Sequence, residues 1–175
     1  MFFGLAPFGV GLFFLEGSMI RSLVLLVLIT VSGWADAPRP FVDFAFENLE
    51  GKIIESDILR KDKVLVYKIG QLSCPSCTIV LGHMGKMYQE YSKKGVAFLD
   101  ITLDEDVEAL KKHAAEHGVL FDTLMDRDSD LASYFGVSLL PVTVITNRAG
   151  TIVNYVVGEM EEDELRKMVD RALMD

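Results

Sequence analysis

The chain has two cysteines and spends both in one tetrapeptide, Cys74-Pro75-Ser76-Cys77, just after the apolar run Val64-Leu65-Val66-Tyr67. A strand that stops at the first cysteine, with proline next and helical spacing beyond, sets that sulfur among the free N–H groups of a helix N-terminus. There the helix dipole favours a thiolate, so Cys74 is the expected nucleophile. Pro75 suits the first helical position, where its missing N–H costs nothing. Cys77 falls one turn in, facing Cys74, as the resolving partner. The pair reads as a redox-active disulfide. Half of a zinc site would show the same spacing, but a structural site needs a second ligand pair and the chain has no further cysteine.

The 175 residues suit one domain with a full core. Residues 1–37 read as a signal peptide or N-terminal hydrophobic segment, and 38–175 as the folded domain. Arg21, the apolar stretch Leu23 to Val31, and the small residues Gly33, Ala35 and Ala37 form the three parts of a secretory signal. Met19 is one candidate start. The stretch from Phe2 to Leu15 is also apolar, so a long signal or an uncleaved anchor stays open; Glu16 and Arg21 interrupt it. The expected location is outside the cytosol, periplasmic, or membrane-anchored with the domain facing out. A dithiol there works against an oxidising background, so it needs protein thiol or disulfide partners and an exported or membrane electron donor. A net charge of −9 argues against nucleic acid as a partner, since that affinity rests on basic patches.

Along the domain, Phe41 to Phe46 alternates as a first strand should, Asn48 to Gly51 reads as a turn, and Lys52 to Ile54 as a short return strand. Val64 to Ile69 is a central strand. Val80, Met84, Met87 and Tyr91 then recur at helical spacing up to the basic stop Lys93-Lys94-Gly95. Val96 to Ile101 is the next buried strand, and Asp104 is expected to open a second helix that stops near Gly118. After Phe121 to Met125, helix signals run from Asp128 to Phe135. Leu140 to Thr146 looks like a strand with proline at its start, where the missing N–H is tolerable, a turn at Asn147 to Gly150 leads into Thr151 to Val157 as a hairpin, and a last helix begins near Glu161. Alternating strands and helices predict an α/β fold with one antiparallel edge.

This order, with Cys74-Pro75-Ser76-Cys77, Tyr134-Phe135-Gly136-Val137, Leu140-Pro141 and the hairpin turn Asn147-Arg148-Ala149-Gly150, resembles the thioredoxin-like superfamily over residues 40–173. More narrowly it is similar to exported thiol-disulfide oxidoreductases of the TlpA/ResA type. The resemblance implies a thioredoxin-like fold, a central mixed β-sheet flanked by helices, with a helical insert over residues 104–125. It implies a cis peptide bond before Pro141, with Leu140 and Pro141 binding substrate beside the dithiol. It also implies disulfide reduction or exchange on exported proteins, in cytochrome c maturation among other processes, with no organic cofactor. Family members usually carry tryptophan before the first cysteine, whereas this chain has Gly70-Gln71-Leu72-Ser73. Lys68 stands six positions before Cys74, where relatives often have a buried Asp or Asn. A charged lysine cannot accept a proton in the same way, so an outward side chain or a one-residue slip of the alignment is expected.

Two other chemistries compete. A Sco-like copper protein would need a third ligand, but His83 lies about 9 Å along the helix axis from Cys77 and about 120° around it, and reads as a solvated helix histidine. An AhpC/TSA-type peroxidase would normally have threonine three residues before its nucleophile, where Gln71 stands. His113 and His117 are spaced i, i+4 without a carboxylate-plus-histidine signature and read as helix-surface residues. Met84 and Met87 read as core, and no metal site is expected.

Overall fold

The computed structural model describes residues 40–175, so the proposed signal segment and its boundary lie outside the described residues. Seven strands form one mixed sheet in the order β2-β1-β5-β4-β3-β6-β7: β1 (Ala45–Asn48), β2 (Ile53–Glu55), β3 (Val64–Gly70), β4 (Val96–Thr102), β5 (Thr123–Met125), β6 (Val142–Thr146) and β7 (Ile152–Val157). The helices are α1 (Ser56–Leu59), α2 (Pro75–Tyr91), α3 (Val107–Glu116), α4 (Asp130–Tyr134) and α5 (Glu162–Met174). Parallel pairing joins β3, β4 and β5 at the centre. Antiparallel strands flank both sides, where one such edge was expected: β6 and β7 on one, β1 and β2 on the other. The second arises because the first hairpin adds to β5 rather than standing apart.

The central strands are buried on both faces, and their alternation sorts two cores. Val64, Val66, Val96 and Phe98 face α2 and α5, where they meet Val80, Met84, Met87, Leu165 and Val169. Leu65, Tyr67, Ile69, Leu99 and Ile101, with Val144 of β6 on the same sheet face, pack against Leu131 and Phe135 on the other side. The predicted apolar stripe of α2 is thus its buried face. Each large side chain removed from water here contributes on the order of 2 kcal/mol.

Several ends differ from expectation because polar side chains, rather than hydrophobic spacing, set them. β1 begins only at Ala45 and runs through Asn48, whose side-chain oxygen accepts from the N–H groups of Glu50 and Lys52 and holds the turn itself. Asp106, accepting from the Ala109 N–H at 3.1 Å, caps α3, which starts at Val107 and not at Asp104. The short α4 is held by the fully buried Asp126, whose carboxylate accepts from the N–H groups of Asp130, Leu131 and Ala132. Past α2, Gly95 takes the left-handed conformation (φ 86°) that stops the chain from continuing as helix. None of the described helices is long and apolar enough to cross a membrane.

Candidate active site

β3 ends at Gly70, the chain turns through residues 71–73, and α2 starts at Pro75 with Cys74 as its N-cap. Cys74 Sγ accepts from the Cys77 N–H at 3.1 Å and is bonded to Cys77 Sγ, with the two Cα atoms 5.2 Å apart. The environments of the two sulfurs differ sharply. Cys74 is half-buried at the mouth of the helix, whereas Cys77 is 2% exposed. One end of the disulfide is open to attack and the other is shielded.

The turn before Cys74 is pinned from the adjacent strand. Asp104, expected to open a helix, instead turns its carboxylate to the Leu72 N–H at 2.6 Å and the Thr102 hydroxyl at 3.0 Å. Leu103 N–H donates to Gly70 C=O at 3.0 Å. On the other side, antiparallel pairing of Ile69 with Val142 brings Pro141 level with Gly70 at the entrance to the active-site turn. The Leu140–Pro141 bond is cis, and Pro141 C=O accepts from the Gly158 N–H at 2.7 Å. Pro141 is buried and Leu140 half-buried, beside the exposed Leu139.

Lys68 departs most from expectation. Rather than pointing outward it is 3% exposed, and its Nζ lies 2.7 Å from Asp100 Oδ1. The contact is a close approach of charges rather than an aligned hydrogen bond. The physical reason is strand parity, which continues the row Val64, Val66 to Lys68 on the face under α2, while Asp100 continues Val96 and Phe98 beside it. Cross-strand register extends this pair into a buried polar row, Thr143, Lys68, Asp100, Thr123, spanning four strands. Thr123 donates its hydroxyl to Asp100 Oδ2 at 3.4 Å, and Thr143 Oγ1 has no partner among the described residues.

Gly70 couples this row to the dithiol. A Cβ there would lie 2.7 Å from Lys68 Nζ and 2.9 Å from Cys77 Sγ, so only glycine leaves room for the ammonium and the buried sulfur to border the same space. Sequence reading missed both Asp100 and Gly70. The available signal was an acidic residue inside an otherwise apolar strand, which demands a buried partner.

Residues 38–155 match the AhpC/TSA family, about two thirds of the chain. The chain belongs to that family. Within it, the chain is 29% identical over 136 residues to the thiol-disulfide oxidoreductase ResA of Halalkalibacterium halodurans, an overlap covering 78% of this chain and 77% of that one. It is 28% identical over 159 residues to ResA of Bacillus subtilis, covering 82% and 86%. Among solved structures, a thioredoxin-family thiol:disulfide interchange protein from Chlorobium tepidum superposes with a TM-score of 0.70 at 20% identity, covering 79% of this chain and 99% of that one. A secreted Mycobacterium tuberculosis disulfide oxidoreductase gives 0.66 at 23%, covering 73% and 95%. The fold is thioredoxin-like, and the chain is a thiol-disulfide oxidoreductase of this family acting on protein thiols and disulfides.

The remaining candidates lie elsewhere. Gln71 donates its amide to Ser73 Oγ at 2.8 Å. His83 Nδ1 sits 3.2 Å from the Met160 carbonyl, so it is a tether between α2 and the approach to α5 rather than a solvated histidine. His113 is half-buried, its Nε2 3.5 Å from Thr78 Oγ1, not simply on the surface. Burial first, then the neighbouring His117, hold the His113 imidazole below its ordinary pKa. Glu116 supplies beside these histidines the carboxylate the sequence was read as lacking.

Proposed function

We propose that this family member is an exported protein-disulfide reductase whose electrons pass through Cys74 and Cys77. The asymmetry of the pair carries the reading: the half-exposed Cys74 at a helix N-terminus and the shielded Cys77 suit nucleophile and resolving roles respectively. Cys74 thiolate attacks one sulfur of a substrate disulfide, forming a mixed disulfide and releasing the other sulfur as a thiolate. Cys77 thiolate then attacks Cys74 Sγ, which closes the intramolecular disulfide and frees the second substrate thiol. Two electrons leave the enzyme and two protons complete the product thiols. A membrane or exported donor returns the electrons.

Leu140 and Pro141 are the proposed substrate-binding residues. The Leu140 backbone has no hydrogen-bond partner among the described residues, which leaves it able to pair with an extended substrate segment. Pro141, lacking an N–H, contributes its pyrrolidine ring instead of a donor. The periplasm is the proposed location, with residues 1–37 as the export signal or an anchor, and apocytochrome c is one substrate class that fits. Disulfide-linked thiols in an unfolded heme-attachment segment need this chemistry before heme can be joined.

Equilibration of the purified chain against dithiothreitol redox buffers tests the reaction, with one reversible two-electron transition expected. Cys74→Ser should abolish turnover, whereas Cys77→Ser should accumulate mixed disulfides with partners identifiable by mass spectrometry. Substantial and equal turnover by both variants would refute the assigned roles.

A further inference from the structure

Two of the chain's three histidines fall in one turn at the end of α3, with Glu116 between them. His113, Glu116 and His117 stand at i, i+3 and i+4, which sets all three on one helix face. One donor atom from each lies within 4.8 Å of the other two, and the imidazole centroids are 4.5 Å apart with planes at 57°. An ion held at about 2.1 Å by nitrogen and oxygen in tetrahedral geometry needs donors about 3.4 Å apart. A rotamer adjustment of the exposed Glu116 and half-exposed His117 closes that gap.

The surroundings hold this turn in place. α3 ends against α2 at Gly85, where a Cβ would lie 3.2 Å from both the His117 and Gly118 carbonyl oxygens. Thr78, the residue after Cys77, sets its hydroxyl oxygen 3.5 Å from His113 Nε2 on the protein side, where it accepts from the ring N–H when Nδ1 is the ligating nitrogen. An outer partner of that kind orients a ligating imidazole.

We propose that His113, Glu116 and His117 form a binding site for a divalent transition metal ion, with Zn²⁺ the best match, on the face of α3 beside the dithiol. Two imidazoles and one carboxylate are the donor set that Zn²⁺ accepts with a fourth position left to water or an outside ligand. All three donors come from one helical turn, so the site is complete in a single chain. A bound ion would clamp the last turn of α3 and place positive charge near Thr78 without engaging either cysteine.

Calorimetric titration of the full chain with ZnCl₂, in the disulfide form so that no thiolate competes, tests this, with Co²⁺ absorption as a report of coordination geometry. One equivalent should bind with the disulfide intact, and the histidine ring resonances should shift. Glu116→Gln and His117→Ala should each weaken binding by at least about 100-fold, because even outer-shell partners are worth 10–100-fold. Glu116 is exposed, so its variant keeps the fold. No saturable binding, unchanged binding in both variants, or binding that appears only after reduction of Cys74 and Cys77 would each overturn the site.

Discussion

Lys68→Met deletes an ammonium from a place where its counter-charge, Asp100, is equally buried. The side chains of Lys68 and Asp100 are 4% and 6% exposed, and their charged atoms are 2.7 Å apart. At an effective dielectric of about 20 that attraction amounts to about 6 kcal/mol, offset by several kcal/mol of desolvation for each ion. The pair is therefore close to neutral as a unit and costly to break. The single variant leaves the Asp100 carboxylate with only the 3.4 Å bond from Thr123, so a loss of about 3–5 kcal/mol is expected. Lys68→Met combined with Asp100→Leu should recover most of it, since apolar groups of similar volume can replace such a pair at little net cost. Urea unfolding of the oxidised forms measures both, with the m-value checking that each variant unfolds in one transition. The ammonium also borders Cys77 Sγ, where it favours the thiolate and hence the reduced enzyme. Lys68→Met should therefore have a more negative midpoint potential in glutathione buffers, by on the order of 30 mV for each 1.4 kcal/mol lost, and Asp100→Leu beside it should offset part of that shift. A single variant that costs under about 1 kcal/mol, or a double variant as unstable as the single, would refute the reasoning that the pair is dry and mutually dependent.

Gly70→Ala should destabilise the protein by about 1–3 kcal/mol, because the added carbon meets Cys77 Sγ at 2.9 Å and Cys77 Cβ at 3.1 Å. Thermal unfolding checks it, and an unchanged midpoint would mean that α2 shifts without cost. Met84→Ala, with no exposed surface at the centre of the α2 face, should cost about 2–5 kcal/mol by chemical denaturation while leaving the dithiol potential in place. Glu90 is held below its ordinary value of 4.5, first by a hydrogen bond from Lys94 and then by one from Arg166. The folded state then binds fewer protons than the unfolded chain just below that value, so this contribution is present above about pH 4.5 and lost as pH falls. Glu90→Gln should flatten that acid limb in a stability–pH profile, and added salt should do the same to the parent protein.

Local chemistry made much of the site legible. Proline at the first helical position, apolar spacing through Tyr91, and two cysteines one turn apart all act within a single strand-to-helix unit, and the structure builds that unit where the sequence puts it. The boundaries that moved belong to Asp104 and Asp106, which carry the same functional group two residues apart. Asp106 caps its own helix, while Asp104 reaches back across the sheet to Leu72. No local preference separates those two fates. Lys68 shows the same limit more strongly, because residue type alone favours exposure for lysine.

Residue identity and order alone determined that the chain carries one dithiol poised at a helix start, in a domain of alternating strands and helices with an acidic surface. Those properties depend on contacts within a few residues and on periodicity, so they survive without knowledge of neighbours in space. Only the tertiary structure decided that Lys68 lies inward against Asp100, that Gly70 opens the space between that ammonium and Cys77, and that α3 brings His113 to Thr78. Each is a meeting of residues on different strands or helices, fixed by register and parity across the sheet.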